Sequence, residues 1–573
     1  MSRLARLVGV ALATVGLAAS VFGAITETWR KFYDAGSGLD STADMVVTAD
    51  GFAYVVGTSE LNFNTDIWVA KYNDQGTRVW TKRYDRAGSD DVGIGIVVDS
   101  EGNVIVTGTT KDATFNRDIT IVKYNSAGTQ LWAKHYNGGQ DTARAIALDT
   151  NNNIYVAGDY EGSPGAIVML KYLPNGNVDW TRLHSAAGIR DEARDIVVSP
   201  QGDVFTCGYS RRLGSQEDMV LISYTTSGIT NWVQFFDGPA GGSDIANAVA
   251  VDSAGRPIIT GSSSGVGTDS DIWTIKRQVN GSALWDVRLD GGVGGGDSGN
   301  SVVVDSQDNV IVGGRLYTGS RSDMATIKYD SLGNQLWLKT YSSSGGTELE
   351  ETRHVTVDQF DNVYSTGSSL ALTCIKYSPT GTVVGVMRPS HSVLDRGAAC
   401  GVASMGRVFV AGTWYISTSN EDVVVLMYTH TTDFTGQLTM QALAGPYPTV
   451  IPVDIREAGT QNVILVVNMS VNATGAITMQ VPPGDWDLSI RYQNWLRRTM
   501  PLLSPGRPST VNPTLLNGDP TLDNFVDLLD LNAILSQFAS SPGVGFVDLD
   551  KDGEVGLSDL GACLVNFGQP GDN

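Results

Sequence analysis

DVGIGIVVDSEGNVIVTGTTKDATFNRDITIVKYNSAGTQLWAKHY (residues 91–136) contains four short β-branched runs separated by turn residues. The first, IGIVVD, gives way to the turn SEGN and then to VIVTGT. A longer polar stretch leads to ITIVKY, the turn NSAG and LWAKHY. Val and Ile in short runs bounded by Gly, Asn and Ser are a strand signal, and here it occurs four times in succession. Short turns between such runs make the strands antiparallel neighbours.

Working outward, the same unit recurs about every fifty residues. VVDSEGNVIVTGT (97–109) matches VVTADGFAYVVGT (46–58), ALDTNNNIYVAGD (147–159), VVSPQGDVFTCGY (197–209), AVDSAGRPIITGS (250–262), VVDSQDNVIVGGR (303–315), TVDQFDNVYSTGS (356–368) and GVASMGRVFVAGT (402–414), eight copies in all. A lysine–tyrosine strand end, as in ITIVKY, and a tryptophan strand follow most copies. A period of this length decides the architecture before any local motif does. Four antiparallel strands make a blade, and blades repeated around an axis bury both faces of each sheet. The tryptophan strands begin at Trp29, Trp80, Trp132, Trp180, Trp232, Trp285 and Trp337, while 382–387 is a degenerate TVVGVM. WRKFY (29–33) has no repeat body before it, and the eighth copy has no tryptophan strand after it. The N-terminal strand is therefore expected to complete the last blade, removing the open edge of the row. The count is eight blades, or seven if one degenerate unit lies outside the ring.

These units resemble the secreted bacterial β-propeller repeats, whose core reads roughly D-x-x-G-N-x-Y-V-x-G, then K-Y, then G-x-x-x-W. The resemblance covers residues 25–430 and implies an extracellular propeller without implying one activity. The first-to-second and third-to-fourth turns are stereotyped, whereas the other connections (TSELNFNTD, TTKDATFNRD, YSRRLGSQED, DGGVGGGDSGN) vary and fall at the opposite end. Variation gathered on one rim of a rigid scaffold is a pattern that displays binding surfaces.

The 573 residues carry a net charge of −22, which argues against binding nucleic acid or an anionic membrane. Arg3 and Arg6, an apolar run and a small-residue end near Gly23 and Ala24 read as an export signal over 1–24. No later stretch approaches the length of a membrane span, so the mature chain is expected outside the cytoplasm: secreted or on the cell surface, with the periplasm as the alternative. Cys207, Cys374, Cys400 and Cys563 form no CxxC pair and read as small buried hydrophobes.

Catalytic motifs are weak. GSSSG (261–265) fits the nucleophile elbow around Ser263 but lies between strands, where no helix follows. GGGDSG (294–299) fits G-x-G-x-x-G and likewise lacks a helix to present amides to a phosphate. The tryptophan-bearing blades also resemble pyrroloquinoline-quinone dehydrogenases, but there is no adjacent-cysteine pair or calcium cluster, and the five histidines occupy unrelated repeat positions. Paired acids such as Asp90/Asp91 and Asp191/Glu192 recur at the start of first strands, and a repeated turn explains them better than a catalytic pair.

The period stops after 432. Residues 433–500 read as six or seven strands, and PPGDWDLSIRY makes this segment resemble the small β-sandwich of carboxypeptidase-regulatory-like modules. Residues 501–516 are rich in Pro and Ser and read as a linker. In DLDKDGEVGLSD (548–559), Asp548, Asp550 and Asp552 alternate, Gly553 permits the turn, Glu554 offers its carbonyl and Asp559 closes the loop. A twelve-residue loop of this pattern supplies calcium with its hard oxygens. DPTLDNFVDLLD (519–530) repeats it more loosely, with Asp519, Asp523, Asp527 and Asp530 at carboxylate positions and Phe525 at the carbonyl position. Leu528, Leu531, Leu535 and Phe538, and then Leu557, Leu560, Leu564 and Phe567, give each loop an amphipathic helix. Two loop–helix halves over 517–573 resemble a type I dockerin, which implies Ca2+ and a cohesin-like or cell-surface partner. Leu528/Leu529 and Leu557/Ser558 stand where cohesins commonly read a Ser-Thr pair.

The sequence thus describes a mainly β protein: signal peptide 1–24, propeller 25–432, sandwich 433–500, linker 501–516 and a small α-helical dockerin-like domain 517–573. The expected function is non-enzymatic binding, with an unidentified protein or glycan ligand on the propeller. The competing expectation is a secreted enzyme, glycan-active or quinone-dependent, tethered by the same tail.

Overall fold

The computed structural model describes residues 25–430 apart from 35–37, 163–164, 187–189, 212–215, 293–294, 320, 344–349, 370, 390–394, 405 and 418–419, together with most of 432–515 and a few later positions. The chain divides into two compact units, residues 25–430 and residues 431–573 with 1–24.

Among the described residues of the first unit are eight four-stranded sheets, each ordered as an antiparallel meander. The first blade runs Ser41–Val47, Ala53–Leu61, Asn64–Tyr72, Arg78–Tyr84. The last takes Arg396–Ala403, Arg407–Ser417 and Asn420–His430 from the chain's later part and Ile25–Tyr33 as its outer strand. Ile25–Tyr33 lies antiparallel on Asn420–His430, with Trp29 opposite Met427 and Tyr33 opposite Val423. First strands of successive blades adjoin one another, and the eighth blade adjoins both the seventh and the first. The ring therefore closes with eight blades, and the seven-bladed alternative falls away.

Each feature of the repeat has a physical reason. Third strands such as Arg117–Tyr124 are buried almost end to end, because neighbouring blades cover both faces, and so they read as continuous apolar runs. Tyr54, Val56 and Val69 of the first blade share a core with Ile96, Val104 and Val122 of the second. The glycine of VTGT faces a register shift in the first strand, between Gly93 and Gly95 in the second blade. A Cβ on Gly108 would stand 2.3 Å from the Val92 carbonyl oxygen, so a side chain is excluded there.

The tryptophan strand is explained at the junctions. Trp80 Nε1 donates to the Ser126 carbonyl, 3.0 Å away in the third-to-fourth turn of the next blade, and Lys71 Nζ donates to the same oxygen. Trp180 with Lys171 on Thr226, and Trp337 with Lys328 on Pro379, repeat the arrangement. The indole lies against the turn glycine: a Cβ on Gly128, whose φ is +81°, would meet Trp80 at 2.9 Å. K-Y, W and the turn glycine are thus one inter-blade unit, continued across the ring closure by Trp29, which donates to the Asp74 carbonyl.

In the second unit, one seven-stranded sheet has the order Trp495–Ser504, Gly484–Tyr492, Val450–Glu457, Val463–Val471, Ala476–Val481, Thr432–Gln437, Ser509–Val511. A two-stranded parallel pair, Thr439–Met440 with Thr514–Leu515, accompanies it. Ile451, Val453, Ile455, Met469, Ile477, Leu488 and Ile490 build its core. The stretch read as a linker contributes the end of Trp495–Ser504 and the β-branched strand Ser509–Val511, which pairs in parallel with Thr432–Gln437. Its Pro and Ser content masked that pairing.

Candidate functional site

The two ends of the propeller differ in chemistry. At the lower end lie the first-to-second and third-to-fourth turns, with the buried pairs Lys123–Asp99 (2.8 Å) and Lys328–Asp305 (2.7 Å) beneath them. Burial opposes ionisation of Asp99 and Asp305, but hydrogen bonds from the lysines and from Asn103 and Asn309 outweigh it and hold both carboxyls below their usual range.

At the upper end an acid opens each blade: Asp40, Asp91, Asp141, Asp191, Asp244, Asp297, Glu350 and Asp395, all buried. Asp91 Oδ1 accepts from the Lys111 N–H (3.0 Å) and Oδ2 from the Arg86 N–H (2.6 Å), tying the inter-blade loop to the end of the second strand. Asp40, Asp244, Asp297 and Asp395 likewise accept from Glu60, Ser264, Tyr317 and Tyr415. The recurring acids are therefore loop staples, in keeping with a repeated turn. Burial, with Asp66 and Asp85 adding like charge, pushes Asp91 up to about 7.

At four junctions the staple is joined by the aspartate opening a third strand and the aspartate directly after the fourth. The groups are Asp66/Asp85/Asp91, Asp218/Asp237/Asp244, Asp271/Asp290/Asp297 and Asp34/Asp40/Asp422, each with three carboxylate oxygens within 4.8 Å of one another. Sequence reasoning missed these triads because their members lie on three different elements. In two of them a fourth-strand arginine pairs with the third-strand aspartate, Arg83 with Asp66 at 2.5 Å and Arg288 with Asp271 at 2.9 Å.

The rim also carries exposed apolar tips. Asn62 and Phe63 form a two-residue hairpin turn, both at positive φ (55° and 64°), and Phe63 is 95% exposed. Phe115, at φ 61°, is 72% exposed on the neighbouring blade. Val266 and Ile416 are exposed at the corresponding connections of the fifth and eighth blades. Positive φ disfavours a bulky side chain, so glycine or asparagine is the usual occupant of such positions.

The catalytic candidates resolve into structure. Ser263 lies within the strand Pro257–Ser264, fully buried, donating to Asp244 and accepting from Arg288 at 2.7 Å. Asp297 of GGGDSG is a blade staple, its Oδ2 accepting from the Gly291 N–H. His354 Nδ1 accepts from the Cys400 N–H at 3.4 Å, the same inter-blade position at which Asp44 accepts from Ile96 and Asp195 from Val249. It is a blade link, and the Cys400 Sγ lies 3.6 Å from the same nitrogen. All four cysteines are buried, and Cys207, Cys374 and Cys400 form no disulfide. Every calcium-loop residue named from the sequence (Asp519, Asp523, Phe525, Asp527, Asp530, Asp548, Asp550, Asp552, Glu554 and Asp559) lies outside the described residues.

Residues 132–159 match the β-propeller repeat family, from the tryptophan strand of one blade through the second strand of the next. Together with the repeated four-stranded sheets, this makes the chain a β-propeller repeat protein. It is similar to an uncharacterized WD repeat-containing protein of Acanthamoeba polyphaga mimivirus, 26% identical over 390 residues that cover 61% of this chain and 26% of that protein. The chain thus matches about a quarter of that relative's length. Among solved structures, Sqt1 of Chaetomium thermophilum is 10% identical, covering 71% of this chain and 98% of its own, with a TM-score of 0.48. The same protein bound to the N-terminus of ribosomal protein L10 gives 11%, 70%, 98% and 0.46. A type II cohesin–X-dockerin complex of Acetivibrio cellulolyticus is 21% identical, covering 24% of this chain and 97% of its own, at a TM-score of 0.21.

Proposed function

We propose that this chain is an exported, non-enzymatic interaction scaffold whose upper rim takes a protein or glycan ligand. A dockerin-like tail over 517–573, loaded with Ca2+ on Asp519, Asp523, Asp527, Asp530, Asp548, Asp550, Asp552 and Asp559 and on the carbonyls of Phe525 and Glu554, attaches it to a cohesin-like or cell-surface partner. The observation that carries the rim reading is Phe63, a bulky apolar side chain 95% exposed on a backbone that favours glycine. An aromatic held in water at a cost in backbone strain is a binding anchor in waiting. Phe115 repeats the device one blade away. The tail reading rests on the twelve-residue spacing of its acids and on the export signal.

The test immobilises the full chain and its Phe63→Gly/Phe115→Gly double variant, and probes both with a glycan panel and the source's exported proteins, with calcium and with chelator. A ligand held by the parent and lost by the double variant supports the rim. A partner captured by both proteins, but only with calcium, supports the tail. Ligand binding that the double variant leaves unchanged sinks the rim reading.

A further inference from the structure

The triad at the ring closure differs from the arginine-paired triads of the first and fifth blades. Asp422 stands on the third strand of the last blade, Asp34 follows the N-terminal strand directly, and Asp40 opens the first blade. The two ends of the ring meet here: the Asp40 N–H donates to the Glu421 carbonyl (2.7 Å), and Leu39 bridges Glu421 in parallel.

Register identifies what is missing. Arg83 lies opposite Trp68, two residues beyond Asp66, and Arg288 lies opposite Trp273, two residues beyond Asp271. Opposite Val424, two residues beyond Asp422, stands Phe32, packed edge-on against Trp414 at 5.2 Å. The guanidinium that pairs with Asp66 and Asp271 is thus replaced by an aromatic ring, as it is by Phe235 opposite Val220 in the Asp218 group. Asp422 is only 9% exposed, and its Oδ1 is closed to solvent with no hydrogen-bond partner among the described residues. Burial, with Asp34 and Asp40 as the further causes, pushes Asp422 up to about 6. A buried carboxylate facing two others with no donor is a strongly unfavourable arrangement unless a cation joins it.

We propose that the closure of the ring binds a divalent cation, calcium by its all-oxygen donor set, between Asp34, Asp40 and Asp422, and that this ion clasps the N-terminal strand to the first blade. Three oxygens within 4.8 Å of one another lie close enough to surround one ion, small side-chain shifts bringing them to calcium's bond lengths of about 2.4 Å. This site is separate from the tail's loops: it is built from the propeller's own strands.

The experiment uses the full chain stripped with chelator and titrated with terbium, exciting tryptophan. Trp414 pairs with Asp422 in the strand register, whereas residues 517–573 contain neither Trp nor Tyr, so tail-bound terbium is dark under this excitation. The parent is expected to give saturable emission that calcium displaces. Asp422→Asn should weaken terbium binding about tenfold or more by removing a ligand charge. Phe32→Arg should do the same while melting higher than the parent in chelator, because it restores the interior pairing. No sensitised emission from the parent at millimolar terbium, or emission equal in all three proteins, overturns the proposal.

Discussion

Below the ring, among the described residues, positions that need a left-handed backbone hold residues suited to it: Gly102 and Gly128 in the second blade, Asn152 in the third, Asp308 in the sixth. Above it, two such positions hold Phe63 and Phe115. Below, buried carboxylates meet lysines at 2.7–2.8 Å; above, carboxylates gather in threes. Both ends come from the same repeat and the same blades. The lower end is shaped by its neighbour, since each turn must receive the tryptophan and lysine of the blade before it. The upper connections carry no such inter-blade unit, and residues there can be kept for reasons other than stability.

The contrast can be broken first where it is strongest. Trp80→Ala removes an 8%-exposed indole and its hydrogen bond to Ser126, and should cost about 3–5 kcal/mol in urea unfolding. A loss under 1 kcal/mol would deny the junction its role. Lys328→Met strands the buried Asp305 carboxylate, for an expected loss of about 3 kcal/mol, largest at neutral pH and fading as Asp305 protonates.

Acidification separates the ends by sign. Asp99 and Asp305 have folded-state pKa values below their unfolded ones, so their stability is present above the unfolded value near ~3.9 and is lost as pH falls through the folded value. Asp91 and Asp422, raised to about 7 and about 6, act oppositely: their cost is full above those values and is relieved as pH falls toward ~4. In chelator, the unfolding midpoint should therefore rise between pH 7 and pH 5 and collapse below pH 4. Asp422→Asn should shrink the first limb to what Asp91 leaves and keep the second in place. The smallest effect belongs to Phe63→Gly, which should stabilise the fold by about 0.5–1 kcal/mol by relieving the turn. A destabilisation there would mean that Phe63 packs into the fold and is no anchor.

How much of this was legible in the sequence follows the same division. The lower end was readable because its physics repeats: the tryptophan, the K-Y lysine and the turn glycine announce the blade, and the stranded WRKFY announces its closure. The doubled acids were legible as a turn feature, though not as staples, since the partner N–H groups lie twenty residues away on another strand. The triad of Asp34, Asp40 and Asp422 could not be read at all. Its members are separated by most of the propeller's length, and part of the signal is an absence, Phe32 where Arg83 and Arg288 stand in two other blades. The final strand of the second sheet, Ser509–Val511, was hidden in the same way, by a partner some seventy residues earlier.

One consequence of the tryptophan-on-glycine junction concerns ancestry more than stability. Every blade but the seventh, whose fourth strand Val383–Met387 has no tryptophan, offers its tryptophan forward, so these contacts are head-to-tail and alike in kind. Apart from that one junction, a cycle built this way has no privileged first member. Duplicating or deleting one whole repeat in the gene adds or removes one complete junction and leaves every other junction its proper partners. Moving the chain's ends to the same place in any other blade would preserve the circle as well. The offset N-terminal strand is one way of opening such a ring, and the tryptophan-bearing junctions would tolerate the cut equally.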